Sequence, residues 1–315
     1  MKIESPSRIH ITLIDLNGSI GRVDGGVGLA LENPKIVIEG KEEDEIIIEG
    51  EINKDVEKRI FTTAKKILDY IDERGVYLKV ESLIPQHSGL GSGTQISLSV
   101  GKLISKIYNK DLDVYEIAKL TGRGGTSGIG IGAFKFGGFL VDGGHSIKEK
   151  PFFKPSSASK GITPAPILVR YNFNWDTILI IPKGRHIYGN KEVDIFNKYC
   201  PIRLEEVREL SHLILMKILP SIVEDDLESF GEAINRIQHI GFKKVELSLQ
   251  TQPVKEIIKE IQINNYAGLS SFGPTIYAYG DYKEIKGIVK EIFSKYNIDG
   301  DILKVKPNNI GYKIW

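Results

Sequence analysis

The sequence contains one cysteine, Cys200, among its 315 residues. A single cysteine excludes an intramolecular disulfide, a zinc site of several thiolates and an iron–sulfur cluster. An excess of charge of either sign is lacking too, because 42 Lys and Arg stand against 41 Asp and Glu, a net charge of +1. Such a chain has no overall field to attract nucleic acid or an anionic membrane, so any anion-binding site has to be local.

Long apolar runs are also absent. No segment reaches the roughly 20 apolar residues that cross a bilayer, and residues 1–6 (MKIESP) lack the apolar stretch of a signal peptide. We therefore expect a cytoplasmic protein that binds neither nucleic acid nor a membrane.

Hydrophobic patterning predicts an α+β fold. Apolar residues alternate in 8–16, as in a half-buried strand, and recur at helical spacing in 55–72. Mixed short strands and helices follow in the second half. A proline-rich segment at 148–166 suggests a boundary between one domain at 1–160 and another at 161–315. The other predicted strands are 37–38, 45–49, 76–80, 139–142, 167–171, 177–181, 266–272, 275–279 and 302–305, and the other predicted helices are 94–108, 204–218, 224–240, 254–261 and 282–294.

A glycine-rich loop, 85–95 (PQHSGLGSGTQ), joins a predicted strand to a predicted helix. Glycine lets backbone N–H groups turn inward, and a helix N-terminus adds free donors and a positive dipole end. The spacing fits neither a Walker A motif nor a dinucleotide-binding motif. We predict a phosphate loop, and the alternative is an ordinary turn in which Ser92 or Thr94 caps the helix. The predicted phosphate-binding residues of the loop are Ser88, Gly89, Leu90, Gly91, Ser92, Gly93 and Thr94.

The loop resembles the central motif of the GHMP small-molecule kinases, P-x-x-x-G-L-G-S-S-A-A. Residues 5–10 (SPSRIH) and 268–278 (GLSSFGPTIYA) are similar to the N-terminal strand motif and the C-terminal glycine-rich motif of that superfamily. The resemblance spans nearly the whole chain. It implies a two-lobed GHMP-kinase-like fold, with a ribosomal-S5-domain-2-like N-terminal domain and a ferredoxin-like α+β C-terminal domain.

Two departures from the kinase pattern bear on activity. In mevalonate-kinase-like members a Ser-Gly-Ile-Asp stretch supplies a carboxylate that assists the substrate hydroxyl, and the matching stretch here ends in Gly130. A glycine can neither accept a proton nor orient a hydroxyl. The loop also has Gly93 and Thr94 where kinases usually have Ser-Ala, and the second of the family's serines often touches Mg²⁺. Phosphoryl transfer to an alcohol by the usual route is therefore not expected.

A closer resemblance is to an archaeal branch of the superfamily, the β-ribofuranosylaminobenzene 5′-phosphate synthases of methanopterin biosynthesis. It is carried by residues 6–10, 24–28, 89–95, 124–130 and 137–145. The resemblance implies that phosphoribosyl pyrophosphate condenses with 4-aminobenzoate or 4-hydroxybenzoate, with loss of CO₂ and pyrophosphate. It further implies Mg²⁺, held mainly by the substrate pyrophosphate, and a homodimer.

Four residues in these segments are catalytic candidates. Asp142 or Asp24 could face the positive charge that develops on the ribosyl carbon, and His10 or His145 could move protons or assist pyrophosphate departure. Alternatively, both aspartates only close turns before glycine pairs, and His10 is simply half-buried on a strand.

Cationic side chains would hold the phosphates. Arg8 and Arg123 are predicted ligands because they lie within the matching motifs and a guanidinium fork fits phosphate oxygens. Weaker candidates are Arg22, Lys183 and Arg185, and His186, where the second predicted domain begins, could reach the cleft. Two other functions stay open: an ATP-dependent kinase with another base such as Asp142, and a non-catalytic sensor of a phosphorylated metabolite.

Overall fold

The computed structural model describes residues 1–155, 158–159, 161–183 and 190–315. The strands within these ranges are β1 (Lys2–Asp15), β2 (Arg22–Lys41), β3 (Ile46–Glu49), β4 (Val76–Ser82), β5 (Phe139–Asp142), β6 (His145–Ser146), β7 (Ile167–Tyr171), β8 (Thr177–Pro182), β9 (Tyr266–Leu269), β10 (Ile276–Tyr279), β11 (Gly300–Val305) and β12 (Lys313–Ile314). The helices are α1 (Lys54–Ile71), α2 (Ser92–Ile107), α3 (Val114–Leu120), α4 (Ile129–Phe136), α5 (Asn190–Tyr199), α6 (Leu204–Leu213), α7 (Leu219–Glu224), α8 (Leu227–Ile237), α9 (Gly241–Ser248), α10 (Gln252–Ile261) and α11 (Tyr282–Tyr296), with a π-helical turn at Ile214–Ile218 between α6 and α7.

The larger sheet is built on the long antiparallel pair β1 and β2. Its order is β12–β1–β2–β4–β3, with β5 and β6 paired to β2 and β7 paired to β5. Helices α1 and α2 pack on each other through their apolar faces, and α2 also packs on β1 and β2. The buried face of α1 includes Val56, Ile60, Ala64 and Ile67 at helical spacing. The hydrophobic core thus holds the start of α2, where the glycine-rich loop ends, against the sheet.

The smaller sheet has the order β11–β8–β10–β9 and is antiparallel throughout. Helices α10 and α11 bury Ile257, Ile261, Ile285 and Val289 against it. This packing fixes the turn between β9 and β10, which carries the C-terminal glycine-rich motif.

The predicted α+β class is confirmed, and β5 and β7 have the predicted bounds. The interpretation of residues 24–26 as a turn is wrong, because Asp24 lies inside β2, where Asp24 and Gly25 adopt left-handed backbone with φ of 68° and 71°. Helices α3, α4, α5, α7 and α9 were not predicted. Both β7 and β12, from the second predicted domain, join the larger sheet, so the division at 160/161 stays a prediction.

Candidate active site

Two distant segments of the chain contact the glycine-rich loop and each other. Ser270 Oγ donates to the carbonyl of Gly89 at 2.7 Å and accepts from the backbone N–H of His10 at 3.0 Å. The N–H of Ser271 donates to the His10 carbonyl at 2.9 Å. A Cβ at Gly89, whose φ is 87°, would overlap the Ser270 carbonyl oxygen, so only glycine fits there. The N-terminal strand, the loop and the C-terminal motif are thereby locked into one unit.

No side chain caps the N-terminus of α2, so the capping interpretation of Ser92 and Thr94 is wrong. The N-cap residue is Gly91 in left-handed conformation, with φ of 81°. Uncapped N–H groups and the positive end of the helix dipole therefore remain available to an anion.

A cavity of about 220 Å³, the loop pocket, lies in front of this helix end. It is lined by Arg8, Arg59, Gln86, His87, Gly89, Gly91, Ser92, Gly93, Thr94, Arg123, Glu192, Ser271, Phe272 and Gly273. Two predicted phosphate-binding residues are not brought to it. The Ser88 hydroxyl donates to the Pro85 carbonyl at 2.7 Å, and Leu90 is buried in the hydrophobic core.

Three guanidinium groups, those of Arg8, Arg59 and Arg123, converge on the loop pocket. In the described part of the chain the arginines that form ion pairs are Arg203 and Arg236, so these three have no carboxylate partner there. Burial lowers the pKa of Arg8 to about 10, and burial together with the nearby Arg59 charge lowers the pKa of Arg123 to about 10. The carboxylates of Glu246 and Asp55 act on Arg8 and Arg59 without forming an ion pair, so burial of these cations is costly and an anion in the pocket would relieve that cost.

Arg59 was missed by the sequence analysis, although a signal was present. It lies three residues after Val56 and four before Thr63, both buried, so a charged residue occupies the apolar face of α1. Its Nε is buried without a hydrogen-bond partner among the described residues. A Cβ at Gly93 would lie 2.6 Å from Arg59 Nη1, so the glycine that departs from the kinase motif makes room for this guanidinium.

The second departure is packed in a similar way. A Cβ at Gly130 would lie 3.1 Å from Thr94 Cγ2, and Gln95 Nε2 donates to the Gly130 carbonyl at 2.8 Å. Thr94 thus fills the space in which a side chain at position 130 would begin. A side chain at position 130 would therefore require Thr94 to shift by a few tenths of an ångström.

A second cavity of about 190 Å³, the inner pocket, adjoins the loop pocket. Both pockets are lined by Arg8, Thr94, Glu192, Ser271 and Phe272, and the inner pocket adds His10, Leu13, Thr126, Ser127, Pro155, Phe196 and Glu246. Leu13, Phe196 and Phe272 give it an apolar side. His10 and Ser127 give it a polar side.

His10, Ser127 and Asp142 form a hydrogen-bonded chain behind the inner pocket. His10 Nε2 lies 3.2 Å from Ser127 Oγ, which donates to Asp142 Oδ2 at 3.0 Å. The carboxylate also accepts from the N–H groups of Gly128 and Gly144, at 2.8 and 2.9 Å. Because the Ser127 proton is directed at the carboxylate, its oxygen accepts from His10 Nε2.

Burial sets the protonation states of this chain. It raises the pKa of Asp142 to about 6, and it lowers the pKa of His10 well below its ordinary range, with the charges of Arg8 and Lys243 acting in the same direction. A neutral His10 that donates from Nε2 has an unprotonated Nδ1. That atom is buried and has no partner among the described residues. His10, which lines the inner pocket, is therefore held as a neutral imidazole with one unprotonated ring nitrogen.

Asp24 and His145 form a separate buried network. Asp24 Oδ2 accepts from His145 Nδ1 at 2.7 Å and from Lys150 Nζ at 2.9 Å. His145 Nε2 lies 3.2 Å from the Gly124 carbonyl oxygen, and Lys150 donates to Thr126 Oγ1 at 3.0 Å. Neither Asp24 nor His145 lines the loop pocket or the inner pocket. The geometry fits positioning of the 124–127 segment, and a direct catalytic role for either residue stays a prediction.

Two of the weaker candidates, Arg22 and Lys183, do not line the loop pocket. Arg22 donates to the carbonyls of Gly143 and Gly144, both at 2.9 Å, and Lys183 pairs with Asp299 at 2.7 Å on the surface. Arg185 and His186 lie outside the described residues.

The sequence analysis also missed two groups near the pockets. Glu192 lines both of them, and burial raises its pKa to about 7. Lys243 and Glu246 form a buried ion pair at 2.5 Å beside the inner pocket. These residues lie on α5 and α9, which were not predicted.

Within the described ranges, no group of three or more His, Cys, Asp and Glu side chains could hold a metal ion. The helices in the same ranges are all too short or too polar to cross a bilayer.

The fold and the loop together define a protein of the GHMP superfamily. The family model for the GHMP kinases N terminal domain matches residues 58–138. The solved structure of homoserine kinase from Cytophaga hutchinsonii superposes with a TM-score of 0.69 at 17% identity, covering 99% of this chain and 96% of that one. At that identity the likeness concerns the fold alone.

Curated relatives identify the branch. A β-ribofuranosylphenol 5′-phosphate synthase of Methanocaldococcus jannaschii is 62% identical over 100% of both chains. A protein of the same name from Archaeoglobus fulgidus is 47% identical over 100% of this chain and 99% of its own. The chain belongs to the β-ribofuranosylphenol 5′-phosphate synthase family, which confirms the branch that the motifs predict.

Proposed function

We propose that this protein is a decarboxylating pentosyltransferase of methanopterin biosynthesis. It joins phosphoribosyl pyrophosphate to 4-hydroxybenzoate and releases β-ribofuranosylphenol 5′-phosphate, CO₂ and pyrophosphate. The observation that carries the proposal is the 62% identity, over the full length of both chains, to a relative named for a phenol product. That name favours 4-hydroxybenzoate over 4-aminobenzoate, the two acceptors that the motifs leave open.

In this proposal the loop pocket holds the pyrophosphate group. Negative charge develops on this group as its bond to the ribosyl carbon breaks, and the guanidiniums of Arg8, Arg59 and Arg123 line the same cavity as the start of α2. Fixed positive groups aimed at a developing charge lower the barrier, because they need no rearrangement during the reaction. Their convergence without a carboxylate partner fits this role.

The inner pocket would hold the benzoate, with its ring against Leu13, Phe196 and Phe272. The ring carbon that bears the carboxylate forms a bond to the ribosyl carbon while the bond to pyrophosphate breaks. As the bond to the ribosyl carbon forms, the phenol O–H becomes strongly acidic, and the neutral His10 imidazole accepts its proton despite the lowered pKa. When CO₂ leaves, its bonding electrons restore the aromatic ring and the proton returns to the phenol oxygen. The reaction therefore consumes and releases no net proton.

Mg²⁺ is part of the same proposal, and when bound it would neutralise charge on the pyrophosphate. It prefers hard oxygen ligands and usually takes only one or two carboxylates from the protein. Glu192 fits because its carboxyl lines both the loop pocket and the inner pocket. A homodimer and a cytoplasmic location remain predictions from the resemblance and the composition.

The two alternatives are less well supported. A kinase of the usual kind needs a carboxylate at position 130, and this chain has a glycine there, in tight contact with Thr94. A sensor has no need of the acceptor nitrogen at the inner pocket, nor of the hydrogen-bonded chain that orients it.

One assay tests the proposal. The protein is incubated with Mg²⁺, phosphoribosyl pyrophosphate and carboxyl-labelled 4-hydroxybenzoate, and the released CO₂ is counted, with carboxyl-labelled 4-aminobenzoate in a parallel reaction. We expect release that depends on both substrates and is faster with 4-hydroxybenzoate. ATP turnover on an alcohol without CO₂ release would replace the proposal with a kinase, and binding without either turnover would replace it with a sensor.

A further inference from the structure

A third cavity, of about 540 Å³, extends from the loop pocket along α1. We call it the basic pocket. It is lined by Asp55, Lys58, Arg59, Thr62, Thr63, Lys66, Ser97, Lys119, Leu120, Thr121, Gly122, Arg123 and Gly161. Five of these side chains are cationic and one is acidic, an excess that the nearly neutral chain as a whole does not have. A local anion site is therefore indicated.

The cations come from two elements that face each other. Lys66 of α1 reaches across to the end of α3, where its Nζ lies 3.5 Å from the Leu120 carbonyl, next to Lys119. Arg123 Nε donates a hydrogen bond to Ser97 Oγ of α2 at 3.3 Å. The 3.5 Å distance from Lys66 Nζ to the Leu120 carbonyl is at the limit of a hydrogen bond, so Lys66 can turn to an anion without losing a strong partner.

The three pockets form a row. The basic pocket and the loop pocket share Arg59 and Arg123, whereas the loop pocket and the inner pocket share Arg8, Thr94, Glu192, Ser271 and Phe272. Among the described residues, none lines both the basic pocket and the inner pocket.

This order has a consequence for a substrate with two anionic groups. In phosphoribosyl pyrophosphate the pyrophosphate is attached to the carbon that the ring attacks, so pyrophosphate and ring must occupy adjoining pockets. The loop pocket and the inner pocket meet this requirement. The 5′-phosphate lies on the other side of the ribose and needs a separate group of cations.

We propose that the basic pocket binds the 5′-phosphate, through Lys66 and Lys119 with Arg59 and Arg123 between the two phosphate sites. The assignment rests on the proposed function for the identity of the substrate. It predicts that binding of the 5′-phosphate and binding of the pyrophosphate can be weakened independently, by variants in the basic pocket and in the loop pocket.

Binding of two fragments tests the assignment without requiring turnover. Calorimetry would measure the affinities of ribose 5-phosphate and of inorganic pyrophosphate with Mg²⁺ for the wild type and for Lys66→Ala/Lys119→Ala. Hydrogen bonds to charged groups are among the stronger ones. We expect affinity for ribose 5-phosphate to fall about tenfold or more, and affinity for pyrophosphate to change less than about twofold.

The matched control is Lys65→Ala. Lys65 is the neighbour of Lys66 on α1, but it lines a different cavity together with Asp44 and Glu45. This variant should bind both fragments as the wild type does. In turnover, the double variant should raise the KM for phosphoribosyl pyrophosphate and leave kcat nearly unchanged.

Several results would overturn the assignment. These are a wild type that does not bind ribose 5-phosphate, a double variant that binds it unchanged, and a double variant that loses pyrophosphate instead. Failure of the proposed function has a different signature: no CO₂ is released, yet the two fragments still respond separately to the double variant.

Discussion

Gly93→Ser tests whether the glycine in the loop exists to admit Arg59. A Cβ at this position would lie 2.6 Å from Arg59 Nη1, and ordinary van der Waals contact begins near 3.4 Å. The guanidinium must therefore withdraw by roughly 0.8 Å or more, enough to stretch an optimal hydrogen bond to an anion beyond its useful range. Arg59 is a long side chain whose end can move, so the change should act on the charge in the loop pocket and leave the fold intact.

The expected loss is that of one charge-assisted hydrogen bond. Such bonds contribute about 1.5–3 kcal/mol, so affinity for pyrophosphate should fall by about 2 kcal/mol, or roughly thirtyfold. Stability should not fall, because serine in a helix is favoured over glycine by a few tenths of a kcal/mol, roughly. Calorimetric titration with pyrophosphate and thermal unfolding would measure the two effects.

Two further variants complete the test. Arg59→Gln should lose a similar affinity, and the double variant should lose little more than either single one, since both remove the same contact. Gly287→Ser is the control, because Gly287 is a helical glycine of α11 whose added Cβ would meet nothing within 4 Å. Unchanged affinity in Gly93→Ser, or fully additive losses in the double variant, would refute the role of Arg59.

Three other predictions concern single positions. Asp142→Asn should slow CO₂ release by about 100-fold. Wild-type activity should fall as the pH drops through about 6, the raised pKa of this carboxyl, and the variant's pH–rate profile should lack that fall. An acid limb that persists in the variant would remove Asp142 from the mechanism. The free energy of unfolding of the wild type should rise as the pH falls through about 6, because this buried carboxyl destabilises the fold when it is ionised and no longer does so once it is protonated. Gly130→Asp should lower the free energy of unfolding, measured by urea titration, by about 1–3 kcal/mol through its close contact with Thr94. Adding Thr94→Ala should restore part of the loss, and no recovery would mean that the two residues are not in contact. Lys150→Met should lower the free energy of unfolding by about 3–5 kcal/mol, because it leaves the buried carboxylate of Asp24 without its ammonium partner. The exposed Lys148→Met should lower it little, and equal losses would contradict this account.

The sequence predicts the long elements well and the short ones poorly, for a physical reason. Apolar periodicity is strong in α1 and α2, whose buried faces span several turns. Helix α4 contains Gly130 and Gly132 among its eight residues, and glycine disfavours helices, so only tertiary packing holds it. The burial of Asp24 inside β2 was equally hidden, because its partner Lys150 is 126 residues away.

The residues of the candidate site also fall into those that local sequence predicts and those that it does not. Local motifs point to the loop, to Arg8 and to Arg123, all of which the fold brings to one pocket. Contacts between distant segments decide the rest. Ser88 and Leu90 belong to the motif but face the loop backbone and the core, whereas Arg59 and Glu192 lie outside every recognised motif and line the pocket.

The place of the proton acceptor explains why this chain can do without the kinase carboxylate. A kinase has to assist the hydroxyl that attacks, so its carboxylate must stand beside the attacking atom, at position 130. A ring carbon carries no proton at the attacked position, and the proton that matters is on the phenol oxygen, at the opposite side of the ring. His10 on β1 lines the inner pocket, while Gly130 on α4 is in tight contact with Thr94. Under the proposed function, loss of the carboxylate and use of an oriented, neutral histidine are two parts of one change, from oxygen as the nucleophile to carbon.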